Sequence, residues 1–219
     1  LFRSRMRDPA DPSRIIMPGQ FIPIAEKSGH ILEIDRWVLR QSIETLVRHP
    51  GLPALAVNVS GRSFDDPELP HFLRDLIAKH DLQPQRLIIE LTETAAVTEL
   101  QDAQRFIEAL QKTGCIVCLD DFGTGFSTFA YLKYLAVQML KIDGLFIHDL
   151  ARVKENQAFV KAMKDIAHGL DKQIIAEFVE DESTLELLNE LGVDLVQGFF
   201  LDRPVPDHPA LKADDTAAH

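Results

Sequence analysis

Cysteine is nearly absent from this chain. Cys115 and Cys118 are the only two in 219 residues, which suits a reducing compartment and leaves no disulfide-built scaffold to consider. Their C-x-x-C spacing falls in "CIVCL", a run that reads as a strand, where positions i and i+3 point to opposite faces. The pair is therefore read as structural. Long apolar runs are missing too, and none approaches the ~20 residues that cross a bilayer. Positive charge is in short supply. With 23 Lys and Arg against 34 Asp and Glu, the formal net charge of −11 argues against broad binding to DNA or to an anionic membrane. An anionic substrate stays open only if local cations overcome that background. The eight histidines show no paired metal-ligand spacing, which removes the usual zinc patterns. The opening "LFRSRMRDP" has neither an initiator methionine nor a signal peptide. The chain reads as a cytoplasmic domain of a longer parent, with membrane anchoring of that parent left open.

What is present is an alternation. At 46% hydrophobic, the chain can fill one sizeable α/β core. Short apolar runs close at Asn58, Glu90, Asp120, Lys141, Glu177 and Gln197, with amphipathic stretches between them. "AFVKAMKDIAHGL" puts Phe159, Val160, Met163, Ile166, Ala167 and Leu170 on one helical face. "STLELLNELG" predicts a helix opened by a Ser183–Glu186 capping box and closed at Gly192. "PGQFIPIAEKSG" and "ILEIDRWVLRQSIETLVRH" also read as helices. Alternating β and α elements imply parallel strands covered by helices, and apolar character throughout each run implies burial on both faces. Every run ends in a residue able to ligate, donate or carry charge. A (β/α)8 barrel gathers its site from all its strand ends, whereas a doubly wound sheet uses mainly one crevice. The expectation is a modified (β/α)8, TIM-like barrel over residues 1–206, with N-terminal strands lying before Leu1, and a flexible tail over 207–219.

The stretch "CLDDFGTGF" asks why a buried strand should end in two adjacent like charges. Asn58, Glu90, Asp120 and Asp121 are hard oxygen donors, and three carboxylates brought together need cations. Oxygen ligands alone point to Mg2+ or Mn2+. Adjacent aspartates suit a two-metal site, a recurring device for phosphodiester hydrolysis in which the attacking water is activated between ions ~3.5–4 Å apart. Lys141 would steady that water or a phosphate oxygen, Glu177 would accept a proton, and Gln197 offers a donor and an acceptor. A single strand-end aspartate is more often a helix N-cap; six such ends together are harder to dismiss. "GTGF" starts like G-x-G-x-x-G, but Thr128 breaks the pattern, so the stretch reads as a glycine-bearing loop free to move beside the site. Two other classes stay open: a Schiff-base lyase with Lys141 as nucleophile, and a barrel that serves only assembly.

"NVS", "ELTE", "DDFGTGFS", "LKID", "AEFVE" and "VQGFF", in this order, with "MPGQFIPIAE" and "DRWVL" upstream, resemble the EAL-domain family of bacterial cyclic di-GMP phosphodiesterases. The resemblance runs from Leu1 to Pro206 and implies a modified barrel, a requirement for Mg2+ or Mn2+ with two ions per site, and opening of cyclic di-GMP to linear pGpG. It implies Asn58, Glu90, Asp120 and Asp121 as metal ligands, with Asp120 bridging. Lys141 and Glu177 would handle the attacking water, Gln197 would line the site, and Glu93 would support catalysis by tethering the loop after Asp121. "LFR" resembles the end of the family's E-x-L-x-R signature, making Arg3 a phosphate contact. Homodimers are implied, with Phe122 to Leu135 as an apolar segment able to couple site and partner, and sensory or diguanylate-cyclase-like domains are implied in the parent. Three departures stand out. The signature glutamate would precede Leu1, "LDRP" replaces a more glycine-like turn, and Phe178 occupies a position where the family usually has glycine. The first and last keep a second reading alive, a degenerate receptor that binds cyclic di-GMP without cleaving it.

Overall fold

The computed structural model describes residues 5–8, 10–11, 13–125, 129–205 and 208–211. Arg3, Pro206 and most of the expected tail lie outside the described residues; Pro209–Leu211 form a short 3-10 turn. A two-stranded antiparallel hairpin, β1 (Met6–Arg7) and β2 (Ile15–Ile16), comes first. Two helices follow. In α1 (Pro18–Ser28), proline takes a first-turn position where its missing N–H costs no bond. Gly29 closes the helix in a left-handed conformation, φ 79°. In α2 (Ile31–Arg48), Ile31, Asp35, Val38, Leu39, Ser42, Ile43 and Leu46 share the buried face.

Six parallel strands then run in consecutive order: β3 (Leu55–Asn58), β4 (Leu87–Thr92), β5 (Ile116–Phe122), β6 (Met139–Ile142), β7 (Gln173–Ala176) and β8 (Leu195–Val196). Their crossovers carry α3 (Glu68–His80), α4 (Glu93–Thr98), α5 (Leu100–Gln111), α6 (Gly144–Ile147), α7 (Lys154–Gly169) and α8 (Glu182–Leu191). Parallel neighbours joined through helices make a partial (β/α)8 barrel, with β3 and β8 as edges among the described residues. The core is continuous between strands and helices. The buried face of α5, for example, repeats at helical spacing through Ala103, Phe106, Ile107 and Leu110. Fully burying each large apolar side chain contributes about 1.5–3 kcal/mol.

Two local expectations change. The N-cap of α8 is Asp181, whose carboxylate accepts from Thr184 N at 2.8 Å, not Ser183. Ser183 instead donates its hydroxyl to Asp181, so the better acceptor wins. Gly192 does close that helix, φ 77°. On α7, Val160, Met163 and Ala167 are buried, but Phe159 is exposed and lies beside Phe146, ring centroids 5.7 Å apart.

The strand ends are in register. Asn58 pairs with Glu90, and Asp120 pairs with Thr92, two residues beyond Glu90, an even step that keeps these side chains on one face at the C-terminal rim. The β5–β6 register shifts between Leu119 and Phe122, and Asp121 has φ 57°. Successive residues of a regular strand face opposite ways. A bulge with a left-handed aspartate, a residue that tolerates this conformation, re-aims one side chain.

Candidate metal and catalytic site

Lys141 is the hub. Its ammonium, 1% exposed, lies 2.9 Å from Glu90 Oε1, 2.8 Å from Glu177 Oε1 and 3.4 Å from Asp120 Oδ1. Asn58 Nδ2 donates to Glu90 Oε2 at 3.1 Å. Carboxylate oxygens of Asp120, Asp121 and Glu177 lie within 4.8 Å of one another. Residues from β3, β4, β5 and β6 and the residue after β7 thus converge at one end of the sheet. Asp121 joins them only through the bulge.

Burial raises the Glu90, Glu177 and Asp121 carboxyls, and neighbouring carboxylates add to the rise. Burial alone would lower the Lys141 ammonium, but Glu90, Asp120 and Glu177 together hold its pKa above that of ordinary lysine. A Schiff-base lysine needs the opposite, a depressed pKa, so the contacts around Lys141 run against the lyase reading. The cluster holds four carboxylates and a single ammonium, three of the carboxylates in contact with Lys141 and Asp121 beside them. The uncompensated negative charge and the all-oxygen donor set both fit divalent cations of the Mg2+ or Mn2+ type.

Glu93 stands apart from that cluster, beneath the loop that leaves β5. Its Oε2 accepts from Gly123 N at 2.9 Å and Gly125 N at 3.3 Å, and its Oε1 accepts from the Tyr131 hydroxyl. A side chain on Gly125 would meet Glu93 Oε1 at 2.9 Å, so the glycine allows the contact. Thr124 adds a bond from its hydroxyl to Asp121 O at 2.9 Å. Hydrogen bonds therefore hold the loop's first residues; residues 126–128 lie outside the described residues. Gln197 stands at the end of β8 and bonds through its backbone, donating to Ala176 O at 2.8 Å and accepting from Val179 N at 3.1 Å. Among the described residues, no side-chain hydrogen bond links it to the cluster. Arg3 is outside the described residues.

The segment offered for coupling to a partner turns inward. Phe122, Tyr131, Leu132 and Leu135 are core residues, and Tyr134 alone among the segment's described large apolar side chains is well exposed. Both cysteines are buried and free. Burial pushes the Cys115 thiol up to about 11 and the Cys118 thiol well above its ordinary value, so neither is a thiolate.

Sequence reasoning missed Tyr131 and Asp35. A tyrosine inside an apolar run needs a partner for its hydroxyl, which was a readable signal. Asp35 sits on the apolar stripe of α2 and accepts from Ser60 N at 3.0 Å and Ser63 Oγ at 2.7 Å, tying that helix to the turn after β3. A charge at a core-facing position was the clue.

Comparison with known proteins places this geometry. The EAL domain model matches residues 2–204. The bifunctional diguanylate cyclase/cyclic di-GMP phosphodiesterase MucR of Pseudomonas aeruginosa is 39% identical over 196 residues, covering 88% of this chain and 29% of MucR. Cyclic di-GMP phosphodiesterase PdeF of Escherichia coli is 32% identical over 204 residues, covering 92% of this chain and 27% of PdeF. The chain thus spans under a third of the length of these relatives. Among solved structures, the P. aeruginosa MucR phosphodiesterase in complex with c-di-GMP superposes with a TM-score of 0.83 at 37% identity, covering 92% of this chain and 83% of that one. The P. aeruginosa FimX EAL domain bound to c-di-GMP gives 0.84 at 32% identity, covering 91% and 81%. The chain belongs to the EAL-domain family.

Proposed function

We propose that this domain hydrolyses cyclic di-GMP to linear pGpG with the help of two divalent cations, Mg2+ or Mn2+. The observation that carries the reading is the convergence of Asp120, Asp121 and Glu177 oxygens within 4.8 Å, beside Glu90 and the buried Lys141. Relatives named as cyclic di-GMP phosphodiesterases at 32–39% identity support the choice of substrate. Asn58, Glu90, Asp120 and Asp121 are the residues that would hold the cations. Cations held there would supply neutralisation of charge on the phosphate and a lowered pKa for the attacking water.

The chain's own groups do the rest. Glu177 accepts a proton from the attacking water at its carboxylate. Lys141 stays charged and donates to the water or to a phosphate oxygen as negative charge grows there. The water oxygen bonds to phosphorus, one P–O bond to ribose breaks, and the released ribose oxygen takes up a proton. Glu93 positions Asp121 by holding the loop behind it, through Gly123 and Gly125. Arg3 contacts phosphate, and Gln197 faces the substrate from the end of β8. A homodimer, and sensory or diguanylate-cyclase-like domains in a longer parent, belong to the same reading.

The test is chromatography of cyclic di-GMP incubated with the protein in Mg2+ or Mn2+, beside an EDTA control and an Asp120→Asn variant. Metal-dependent pGpG that disappears in the variant is the expected result. Binding without turnover in any metal would move the domain to the receptor class, a reading favoured by one observation, the bulky Phe178 next to Glu177.

A further inference from the structure

Asn58 has the least support of the four residues assigned to the cations. It ends β3, which among the described residues pairs on one side only, with β4. Asn58 is exposed. Among the described residues its side chain makes one hydrogen bond, to Glu90 Oε2 at 3.1 Å, and Glu90 belongs to the same set. An amide placed in this way keeps its direction only if the backbone behind it is fixed. The last tie to β4 is Val59 N donating to Glu90 O at 3.0 Å, and the chain then turns away.

Ser60 begins that turn, and two helices hold it. Its N–H donates to Asp35 Oδ2 on α2 at 3.0 Å, and its hydroxyl donates to Glu26 Oε1 on α1 at 2.8 Å. The same Asp35 oxygen accepts from the Ser63 hydroxyl at 2.7 Å, inside the 3-10 turn Gly61–Asp65 that follows. A third helix closes on the turn. A Cβ on Gly61 would come within 2.6 Å of Ala95 Cβ on α4, two residues from Glu93. Asp35 is 4% exposed, and hydrogen bonds to a carboxylate are stronger than those between neutral groups. One oxygen that takes both a backbone N–H and a hydroxyl sets where the turn lies and how it is oriented.

Resting on the metal-dependent reading above, we infer that Asp35 is a positioning residue for Asn58. Together with Glu26 it holds Ser60, and through two residues of backbone it directs the Asn58 amide toward the cation site. Asp35 does on β3 what Glu93 does on β5, each a buried carboxylate that fixes the turn beside a strand-end ligand. Among the described residues it bonds to none of the groups assigned to the cations, so it acts only through the turn. A tie that served the fold alone would leave ion affinity unchanged.

Calorimetric titration of the metal-free protein with Mn2+ tests this, with a thermal melt of each variant. Asp35→Leu removes both bonds, and Asp35→Asn keeps an oxygen acceptor in the same place. Ser60→Ala cuts only the tie to Glu26. Ile43→Val, about two turns along α2, lowers stability and leaves the tie alone. Mn2+ affinity about ten-fold weaker is expected in Asp35→Leu, the low end of the loss when a metal ligand's outer partner is removed. Ser60→Ala should lose less, Asp35→Asn should regain most of the affinity, and Ile43→Val should lose none. In turnover, kcat of Asp35→Leu should fall and recover as Mn2+ is raised, with KM for cyclic di-GMP near that of the unsubstituted protein. Unchanged Mn2+ affinity in Asp35→Leu would overturn the positioning role, and so would an equal loss in Ile43→Val; either leaves the phosphodiesterase reading intact. If Asp35→Leu does not fold, Ser60→Ala decides, and undiminished affinity there overturns the inference. An unsubstituted protein that takes up no Mn2+ would overturn both.

Discussion

A lysine ammonium surrounded by three buried carboxylates is stabilised while it stays charged, and its partners depend on it in return. Removing one member of a buried ionic cluster leaves uncompensated charge and costs about 3–5 kcal/mol. Lys141→Met should therefore lower stability by roughly 3 kcal/mol in EDTA. Because Mg2+ can replace the lost positive charge, the melting temperature of this variant should recover more on Mg2+ addition than that of the parent. Melts of both proteins with and without the ion check this, and equal Mg2+ shifts would contradict the charge account. Asp121 teaches a different lesson at the same scale. Its position beside Asp120 was plain in the sequence, yet strand periodicity would have put the two carboxylates on opposite faces. Only the register shift and the left-handed backbone at Asp121 bring both to one side, and neither is written in a local residue preference.

At the scale of elements, the active rim is kept in shape by loops held from below. Tyr131 and Glu93 clamp the turn that leaves β5. Tyr131→Phe removes one donor to a buried carboxylate and should cost about 1–3 kcal/mol. It should also reduce kcat while the protein stays folded, since the loop that positions Asp121 loosens; urea unfolding alongside steady-state kinetics measures both. Unchanged kcat would mean that the loop's other bonds suffice. After β8 the constraint is steric. A Cβ on Gly198 would lie 2.0 Å from Val179 O and 2.3 Å from Val179 N, so Gly198→Ala must separate the ends of β7 and β8. An overpacking cost of about 1–3 kcal/mol is expected, and it should appear in a thermal melt. The six parallel strands and the helices read between and before them were legible, because apolar runs and amphipathic periods alternate; the β1–β2 hairpin was not. The helix caps were less legible. Asp181 and Ser183 are both good N-caps two residues apart, and only the formed hydrogen bonds decide between them.

For the whole molecule, a parallel sheet with functional residues at its strand ends could be read from six runs and their last residues. Convergence of side chains from β3 to β7 followed from fold class once the barrel was inferred. Contacts that depend on three-dimensional seating, such as Phe178 on Gly144, could not be read. Stability of the whole should carry the signature of Asp35. Burial raises its carboxyl from 3.8 to about 6, while bonds from Ser63 and Ser60 pull the other way. A group raised on folding contributes stability that is full below its unfolded pKa and lost as pH rises through the folded one. Between pH 4 and 7 that amounts to roughly 3 kcal/mol at ~1.36 kcal/mol per pKa unit. Asp35→Asn should therefore compare better with the parent at pH 7 than at pH 4 in urea unfolding, and a constant difference would contradict the assignment.

The central claim is that adjacent Asp120 and Asp121 are tolerated because divalent cations sit among the strand-end carboxylates. Calorimetric titration with Mn2+ tests it most directly, on the unsubstituted protein and on an Asp120→Asn, Asp121→Asn double variant. The account predicts saturable binding near two ions per site that is lost in the double variant while its fold persists. Absence of saturable binding, or binding indifferent to both substitutions, would contradict it.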